Sequence, residues 1–386
     1  ARNSSGTLRT GPAARHGGYP PHHPRRSGRD VTCTVRRVPA APLPDVRLGW
    51  HPALTDAWSA LGRPGQPARV ARVDRGWSTL YSSATDAEAQ ADAARVRNLG
   101  ADVAVGDWVV ASDDGETVAH VLDRQSAFVR RASFEGDRFE ADTLAANIDV
   151  VFLVHAYGSP PNQRRLEREL VLAFDSGATP AVVLTKADTI DDPEPVRAEL
   201  AAVALGVPVL VVSGRARTGL DQVREFAAGN RTLAFLGASG VGKSTLVNAL
   251  LDADVMDTGT VREGDQRGRH TTVAGQLLLL PGEGLLIDTP GVRAVSLWLS
   301  GEGIERAFAD IFDLSEQCRF RDCKHDREPG CAVRTALDDG RLDPARFANF
   351  ERLIAEEAAL EDEQARFAKR ADRRRGGRAA PEPDDT

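Results

Sequence analysis

The stretch Gly237-Ala-Ser-Gly-Val-Gly-Lys-Ser244 has the residue types and the spacing of a phosphate-binding loop. Its glycines allow successive backbone N–H groups to turn inward around phosphate oxygens, and the helix that follows offers its N-terminus. Lys243 would reach the β- and γ-phosphates, and the Ser244 hydroxyl would ligate Mg²⁺. The strand pattern before the loop and the helical pattern after it favour this interpretation over a structural glycine-rich turn. The predicted contacts are Gly237, Ala238, Ser239, Gly240, Val241, Gly242, Lys243, Ser244 and Thr245.

Two stretches downstream of this loop could complete a Mg²⁺ and γ-phosphate site. Asp288-Thr-Pro-Gly291 follows the apolar run "GLLI", so Asp288 would lie on the Mg²⁺ side and Gly291 would sense the γ-phosphate. Between the loop and Asp288 lies "TVREGDQRGRHTTVAG", which is rich in glycine and charge and has no periodicity. Thr272, in preference to Thr271, would complete the Mg²⁺ coordination there. The alternatives are a plain strand-to-turn exit at Asp288 and a solvated loop before it.

Residues suited to guanine recognition come earlier in the chain. "TKAD" closes the apolar run "AVVL", and Asp188 can accept hydrogen bonds from the guanine N1–H and N2–H₂ groups, which adenine cannot supply. Lys186 would pack over the base, and Ser213-Gly214 ends the next strand, where a backbone N–H would meet guanine O6. Both base-contacting loops therefore precede the phosphate loop, the reverse of the order in most GTPases. The same sheet can form when the chain termini lie in a different surface loop, so this order indicates a circular permutation.

Three cysteines and a histidine form a second constellation, Cys318-x4-Cys323-x-His325-x5-Cys331. Four such ligands within one short stretch are typical of a structural metal site, with zinc as the preferred ion. The alternative is a set of buried thiols near a surface histidine. Basic residues on the same loop would suit contact with an RNA backbone; they are Arg319, Arg321, Lys324 and Arg327.

The periodicity predicts a multidomain α/β protein of five parts. Residues 1–66 are rich in Pro, Gly and Arg and are expected to be a mostly disordered basic extension. Residues 67–141 predict a five-stranded OB-type β-barrel, with an ordinary small β-domain as the alternative; its expected strands are "ARVARVDRG", "STLYSS", "VGDWVVASD", "TVAHVLDR" and "AFVRRASF". Residues 142–300 alternate strands and helices and predict a permuted, Ras-like P-loop GTPase domain. Its last two strands, joined by "PGEG", should form an antiparallel hairpin. Its helices are expected in "PNQRRLERELVLAFDSG", where Leu166, Leu170 and Phe174 share one face, and in "PEPVRAELAAVALG", "GLDQVREFAAG" and "GKSTLVNALLDA". A mostly helical metal-binding domain at 301–360 and a charged tail at 361–386 follow. The basic surface expected on the barrel comprises Arg69, Arg72, Arg75, Arg124, Arg130 and Arg131.

Composition limits the partners. Ten arginines and three aspartates give residues 1–66 a charge of +7, so the remainder of a chain of net charge −7 carries −14. An acidic body excludes indiscriminate nucleic-acid binding and requires local basic patches. No apolar run approaches the roughly 20 residues that span a bilayer, and no secretory signal is apparent at the start of the sequence. The sequence therefore predicts a cytoplasmic protein without a membrane partner.

Taken together, the motifs resemble the circularly permuted GTPases of the ribosome small-subunit-dependent GTPase A family. The similarity covers roughly residues 67–355 and rests on "VGDWV", "AANID", "TKAD", "GASGVGKST", "GRHTT", "DTPGVR" and the Cys/His cluster. The resemblance implies GTP hydrolysis stimulated by the small ribosomal subunit, a role in late maturation of that subunit, and rRNA contacts from the barrel and the metal module. It further implies GTP/GDP, Mg²⁺ and Zn²⁺ as ligands and a monomeric protein.

The resemblance also assigns the catalytic residue. Many GTPases orient the attacking water with a glutamine after DxxG, but this chain has Val292 there, and a histidine proposed to replace it in this family matches His270. The alternative is a loop histidine that contacts only solvent or rRNA. The chain departs from the family at Thr185, where asparagine is usual, and in its N-terminal extension. Two other classes stay open: a P-loop ATPase or phosphotransferase, and a nucleic-acid-binding scaffold with a non-catalytic nucleotide.

Overall fold

Five short strands form a barrel within the residues that the computed structural model describes, which are 43–89, 93–131, 141–158, 162–256, 275–288 and 301–376. The strands are β1 (Pro67–Asp74), β2 (Trp77–Tyr81), β3 (Ala94–Arg97), β4 (Trp108–Ala111) and β5 (Val118–Val121). They pair antiparallel in the order β3-β2-β1-β4-β5. A parallel bridge between Arg97 and Thr117 closes the barrel around Val70, Val96 and Val109. The predicted OB-type barrel is therefore confirmed.

One barrel strand is not the one that the sequence predicted. The run "AFVRRASF" forms β6 (Ala127–Arg131), which pairs with β7 (Ala141–Ala146) in a separate two-stranded sheet. The fifth strand of the barrel is instead β3, which was not predicted from the sequence. That strand has four residues, and only Val96 among them is buried. Its alternation is therefore too short to be recognised after an alanine-rich stretch with helical propensity.

The prediction of disorder as far as residue 66 is wrong for residues 43–66. Helix α1 (Pro52–Ala60) lies there, and its first residue is a proline, which is favourable at this position. Leu54 and Trp58, one helical turn apart, are buried together with Trp50 and Trp108. The ring centroids of Trp50 and Trp108 are 4.8 Å apart. The average composition of residues 1–66 concealed this apolar stripe; residues 1–42 lie outside the described part of the chain.

Arg69 is not part of a basic surface, contrary to the prediction. It is 1% exposed, and its guanidinium donates hydrogen bonds to the carbonyl oxygens of Leu48, Gly106 and Asn147 and to the Thr232 hydroxyl, at 2.5–3.2 Å. Burial lowers the pKa of Arg69 to about 10, so the side chain stays protonated at neutral pH. Arg69 thus joins the N-terminal segment, the barrel and the central sheet.

Arg124 also differs from the prediction. It pairs at 2.8 Å with Asp107, whose side chain is fully buried, and at 2.8 Å with Asp102, so its charge is neutralised within the domain. Arg72 and Arg130 are about half exposed, but Arg72 pairs with Asp74 at 2.6 Å and Arg130 pairs with Asp142 at 2.8 Å. Arg130 lies on β6, outside the barrel. The basic surface of the barrel is therefore smaller than the count of arginines indicated.

The central sheet consists of strands that are buried on both faces. They are β8 (Val150–Ala156), β9 (Thr179–Thr185), β10 (Val209–Val211), β11 (Thr232–Gly237), β12 (Gln276–Leu279) and β13 (Leu285–Asp288). Their order is β10-β9-β8-β11-β13-β12, with parallel pairs throughout except the hairpin β12–β13, which is antiparallel as predicted. Along β8, Val150 and Phe152 belong to one core cluster, and Val151 and Leu153 to the other. Near-continuous apolar runs are typical of such two-sided burial.

Helices cover both faces of this sheet at the predicted places. They are α3 (Gln163–Asp175), α4 (Glu194–Val203), α5 (Leu220–Glu225) and α6 (Lys243–Leu251); α2 (Ala84–Ala89) belongs to the barrel region. On α3, Leu166 and Leu170 are buried, as their spacing predicted. No helix in the described parts of the chain combines the length and the apolar character needed to cross a membrane.

The C-terminal region is helical and is fixed to α3. Its helices are α7 (Gly301–Ala307), α8 (Ala309–Ser315), α9 (Ala332–Asp338) and α10 (Pro344–Gly376), so the predicted tail from residue 361 begins within a helix. Glu167 of α3 is fully buried and accepts hydrogen bonds from Arg346, at 3.0 Å, and from Asn349. Arg346 also pairs with Asp310 at 2.6 Å. Buried charges are stable in this setting because each one is paired and hydrogen-bonded.

Candidate functional site

The phosphate loop lies where β11 ends and α6 begins. Gly237 packs against β8, and a Cβ atom there would come within 2.5 Å of the Val154 carbonyl oxygen. Gly242, directly before Lys243, has φ 97°, a conformation that disfavours any residue with a side chain. The glycines that suggested the motif are therefore required by the backbone at both ends of the loop.

The ammonium group of Lys243 lies inside the loop. Its Nζ atom donates hydrogen bonds to the carbonyl oxygens of Gly237 and Ala238 at 2.8 and 2.6 Å. Asp288 ends β13, the strand next to β11. Burial raises the pKa of the Asp288 carboxyl, and the positive charge of Lys243 opposes this shift. The two groups are thus electrostatically coupled at the same edge of the sheet.

The two base-contacting loops meet at Asp188. The Ser213 hydroxyl donates a hydrogen bond to Oδ1 of Asp188 at 2.5 Å, and the backbone N–H of Ala216 donates to the Ser213 oxygen at 2.9 Å. This hydroxyl contact holds the pKa of Asp188 below its usual value. Lys186 adopts a left-handed backbone conformation with φ 62°. The structure therefore brings Lys186, Asp188 and Ser213 together, with the Asp188 carboxylate kept ionised.

Thr185 links the base loop to the phosphate loop. Its hydroxyl lies 2.5 Å from the Val241 carbonyl oxygen and 3.1 Å from that of His155. The hydroxyl of Thr185 thus provides a connection between the two loops despite the replacement of asparagine.

Three of the predicted site residues, His270, Thr272 and Gly291, lie outside the described parts of the chain. The roles assigned to them stay predictions. The other predicted nucleotide contacts lie on the carboxyl ends of β9, β10, β11 and β13, on the loops that follow them, or in the first turn of α6, which holds Lys243, Ser244 and Thr245. This edge is where ligands bind in open α/β sheets.

The four predicted metal ligands converge in the C-terminal domain. One ligand atom from each of Cys318, Cys323, His325 and Cys331 lies within 4.8 Å of all the others. The Sγ atoms of Cys318 and Cys331 are 3.9 Å apart, and Nδ1 of His325 lies 3.6 and 3.4 Å from them. Tetrahedral zinc with Zn–S bonds of about 2.3 Å requires sulfur atoms about 3.8 Å apart. The donor set therefore fits a structural zinc ion.

The surroundings of this cluster also suit a metal. Nε2 of His325 lies 3.2 Å from the Ser315 hydroxyl, which orients the ring with Nδ1 toward the cysteines. The backbone N–H of Arg334 donates to the Cys331 sulfur at 3.4 Å, at the start of α9. Burial raises the pKa of Cys318, but hydrogen bonds from the backbone N–H groups of Val333 and Ala332 and from the other two cysteines together bring it below its usual value. Burial raises the pKa of Cys323 to about 11. The backbone contacts therefore favour the thiolate, which is the form that binds metal, at Cys318.

Comparison with known proteins identifies the family. The family model described as RsgA GTPase matches residues 121–298. The small ribosomal subunit biogenesis GTPase RsgA of Streptomyces coelicolor is 42% identical over 348 residues, which cover 86% of this chain and 94% of that protein. Its namesake from Methanosarcina acetivorans is 41% identical over 265 residues, covering 68% of this chain and 71% of that protein. The chain belongs to the RsgA GTPase family. It is therefore a GTPase, and the resemblance seen in the sequence is confirmed.

Solved structures agree with the fold of this RsgA GTPase. YjeQ from Thermotoga maritima superimposes with a TM-score of 0.55 at 24% identity and covers 76% of this chain and 98% of its own. YloQ, described as a circularly permuted GTPase, gives a TM-score of 0.52 at 24% identity, with 76% and 95% covered. The permuted order and the domain classes predicted from the sequence are thus confirmed.

Sequence reasoning missed one polar residue of the RsgA GTPase site region. Asn248 is 8% exposed and lies on α6, among the buried residues Leu246, Val247, Ala249 and Leu250. The signal that could have revealed it is a polar residue within an otherwise apolar helical run. Its hydrogen-bond partners are Val255 and Met256, which have no recognisable motif.

Proposed function

We propose that this GTPase binds GTP across the carboxyl edge of the central sheet and acts in the maturation of the small ribosomal subunit. The observation that carries the site assignment is the contact of Thr185 with Val241, because it joins the base loop to the phosphate loop in one continuous surface. Asp188 and Lys243 would then contact opposite ends of one guanosine triphosphate.

Guanine recognition is assigned to the two base-contacting loops. The Asp188 carboxylate has about four acceptor positions, so it can accept from Ser213 and still accept from guanine N1–H and N2–H₂. Adenine has no donors at these two positions, so an adenine nucleotide should bind several orders of magnitude more weakly than a guanine nucleotide. Lys186 would cover the base, and the backbone N–H groups near Gly214 would meet O6. Thr185 holds this loop in place.

Phosphate binding and hydrolysis are assigned to the loop and its downstream partners. Backbone N–H groups of residues 238–245 surround the phosphates, and Lys243 would exchange its two carbonyl partners for phosphate oxygens. Ser244 and Thr272 would hold Mg²⁺, with Asp288 close to it; Mg²⁺ neutralises charge on the phosphates when bound. Gly291 would contact the γ-phosphate. His270 would orient the attacking water, because Val292 has no polar group for that role.

The C-terminal cluster is assigned to structural zinc. Cys318, Cys323, His325 and Cys331 would fill all four positions of the ion, which leaves none for catalysis. The loop between them carries the basic residues Arg319, Arg321, Lys324 and Arg327, which suit rRNA. The names of the relatives support the small ribosomal subunit as the partner of this protein. A cytoplasmic, monomeric protein is part of the same proposal.

The test is GTP hydrolysis with and without purified small ribosomal subunits. We expect slow turnover alone and a rise of at least about tenfold with subunits. Lys243→Ala should remove both activities, and His270→Ala should remove the stimulated one while GTP still binds. Excess ATP should not compete. Competition by ATP would indicate the ATPase or phosphotransferase class, and nucleotide binding without turnover under either condition would indicate a scaffold.

A further inference from the structure

Asn248 is a buried polar residue that the proposed mechanism does not use. It lies on α6, five positions after Lys243, and is 8% exposed. A buried amide loses its hydrogen bonds to water, so its protein partners determine whether the position is tolerated. Its partners therefore indicate what Asn248 does.

The partners of Asn248 all lie in the segment that follows α6. Its Oδ1 atom accepts hydrogen bonds from the backbone N–H groups of Val255 and Met256 at 3.1 and 2.7 Å, and its Nδ2 atom donates to the Met256 carbonyl at 2.9 Å. Its backbone carbonyl accepts from Asp252 and Ala253. The single residue Asn248 thus fixes the course of the chain from 252 to 256.

The same segment is also tied to the second base-contacting loop. Asp252 has φ 54°, which ends α6, and its carboxylate pairs with Arg217 and with Arg224. Arg217 lies four residues after Ser213, whose hydroxyl contacts Asp188. The segment 252–256 is therefore held between the phosphate-loop helix and the loop that orients the guanine-reading carboxylate.

A cavity of about 400 Å³ lies between these elements. Gly214 and Arg215 of the base loop border it on one side, and Thr245, from the first turn of α6, borders it on another. Asn248, Asp252 and Asp254 form the remaining wall. The cavity thus borders both the base-contacting loop and the start of the helix that would bind phosphate, and the nucleoside of the nucleotide proposed above would lie beside it.

We propose that Asn248 is a positioning residue for the nucleoside. Its side chain anchors Val255 and Met256, which end the segment whose residues Asp252, Ala253 and Asp254 form the outer wall of this cavity. The ligand class is a guanosine nucleotide, and the inference rests on the nucleotide site proposed above. A wall that is fixed before binding lowers the entropic cost of binding. Loss of Asn248 should therefore weaken the binding of nucleotides that carry a nucleoside and leave the binding of phosphate groups alone unchanged.

The test compares GDP with inorganic pyrophosphate by titration calorimetry in the presence of Mg²⁺. In Asn248→Ala, which loses all three side-chain hydrogen bonds, the Kd for GDP should rise about tenfold. The Kd for pyrophosphate, which contacts only the phosphate loop, should change by less than about twofold. Asn248→Asp keeps the acceptor and loses the donor, so its Kd for GDP should lie between those of the parent and the alanine variant.

Asn98→Ala provides the matched control. Asn98 is also 8% exposed, bonds to the Ser78 hydroxyl at 2.8 Å, and lies in the barrel. Its loss should lower Tm without changing GDP affinity. Unchanged GDP binding in Asn248→Ala, or equal weakening of GDP and pyrophosphate, would overturn the proposal; if that variant does not fold, Asn248→Asp decides by the same criteria. If the folded parent protein fails to bind GDP, the proposed nucleotide site is refuted, and the proposed role of Asn248 is refuted with it.

Discussion

At the scale of single residues, the guanine recognition proposed above depends on the orientation of Asp188. The Ser213 hydroxyl fixes one carboxylate oxygen, and the carboxylate is held ionised by that contact. An ionised carboxylate only accepts hydrogen bonds, so it selects a base edge that presents donors. The donor pattern of the base, rather than its size, is therefore what this site reads.

Asp188→Asn should change the preferred base. The amide replaces one acceptor by a donor, which opposes the guanine N2–H₂ group and suits the C2 carbonyl of xanthine. We expect the affinity for GDP to fall by at least about 100-fold and the affinity for xanthosine diphosphate to exceed it. Calorimetric titration with both nucleotides measures this. Asp191→Asn, an exposed neighbour on the same loop, should behave as the parent. Equal affinities of the parent and Asp188→Asn for GDP would show that the base lies elsewhere.

Asp288 should reduce stability at neutral pH. Burial raises the pKa of its carboxyl in the fold, so protonation favours the folded state, and stability falls as pH rises through the folded pKa. In protein free of nucleotide and metal, Asp288→Asn should therefore raise Tm slightly at pH 7, and the difference should vanish below about pH 4, where the unfolded carboxyl is also protonated. Hydrolysis of GTP with Mg²⁺ should fall by about 100-fold. A lower Tm for Asp288→Asn at pH 7 would contradict this account.

The residues of the proposed nucleotide site could be identified from the sequence because their motifs are local. The phosphate loop needs adjacent glycines and a lysine, and "TKAD" needs a strand end. The contacts of Thr185 with Val241 and of Arg69 with Thr232 join residues far apart in the chain. No spacing rule predicts such pairs, since they depend on how the strands are ordered in the sheet.

At the scale of elements, helix α3 connects the GTPase domain to the C-terminal domain. Glu167 binds Arg346 and Asn349 of α10. The next residue of α3, Arg168, pairs with Glu356 of α10 through two hydrogen bonds of 2.7 and 2.8 Å. The spacing of its leucines predicted helix α3, but the polar residues on its other face are typical of a solvent-exposed surface. Burial of that face requires a partner helix that lies about 180 residues later in the chain.

Glu167→Ala should destabilise the protein by about 3 kcal/mol, because it leaves the Arg346 charge buried with one carboxylate fewer. Chemical denaturation gives this value. The double variant Glu167→Gln with Arg346→Met should recover more than half of the loss, since it removes both charges. Glu199→Ala, an exposed glutamate on α4, should change stability by less than about 0.5 kcal/mol. A loss of that small size in Glu167→Ala would mean that the contact with α10 does not form in solution.

At the scale of the whole molecule, the nucleotide site and the cysteine cluster belong to different domains. The first lies on the edge of the central sheet, and the second lies between α8 and α9. Asp288 ends the last strand, and the chain reaches α7 at Gly301. The permutation thus makes the C-terminal domain follow the stretch Asp288-Thr-Pro-Gly291 directly in the chain. Because the cysteine cluster lies in a different domain from the proposed nucleotide site, the two can be altered separately.

Cys323→Ser should remove the metal and leave unstimulated hydrolysis intact. The parent should contain about one zinc per chain by elemental analysis, and the variant should contain much less, because three remaining ligands bind zinc more weakly. Turnover of GTP without subunits should stay within about twofold of the parent, while stimulation by small subunits should be largely lost. Cys33→Ser, at the cysteine outside the cluster, serves as the control. A parallel loss of unstimulated turnover would show that the cluster supports the GTPase fold itself.

The acceptors of Arg69 determine the smallest fragment of this chain that is worth expressing. They come from Leu48, Gly106, Asn147 and Thr232, so a cut at the predicted boundary after residue 66 or after residue 141 separates Arg69 from some of its acceptors. A truncated GTPase module starting near residue 142 would therefore be prone to misfolding and aggregation. Fragments for expression and crystallisation should begin upstream of Leu43, even where only the nucleotide site is of interest.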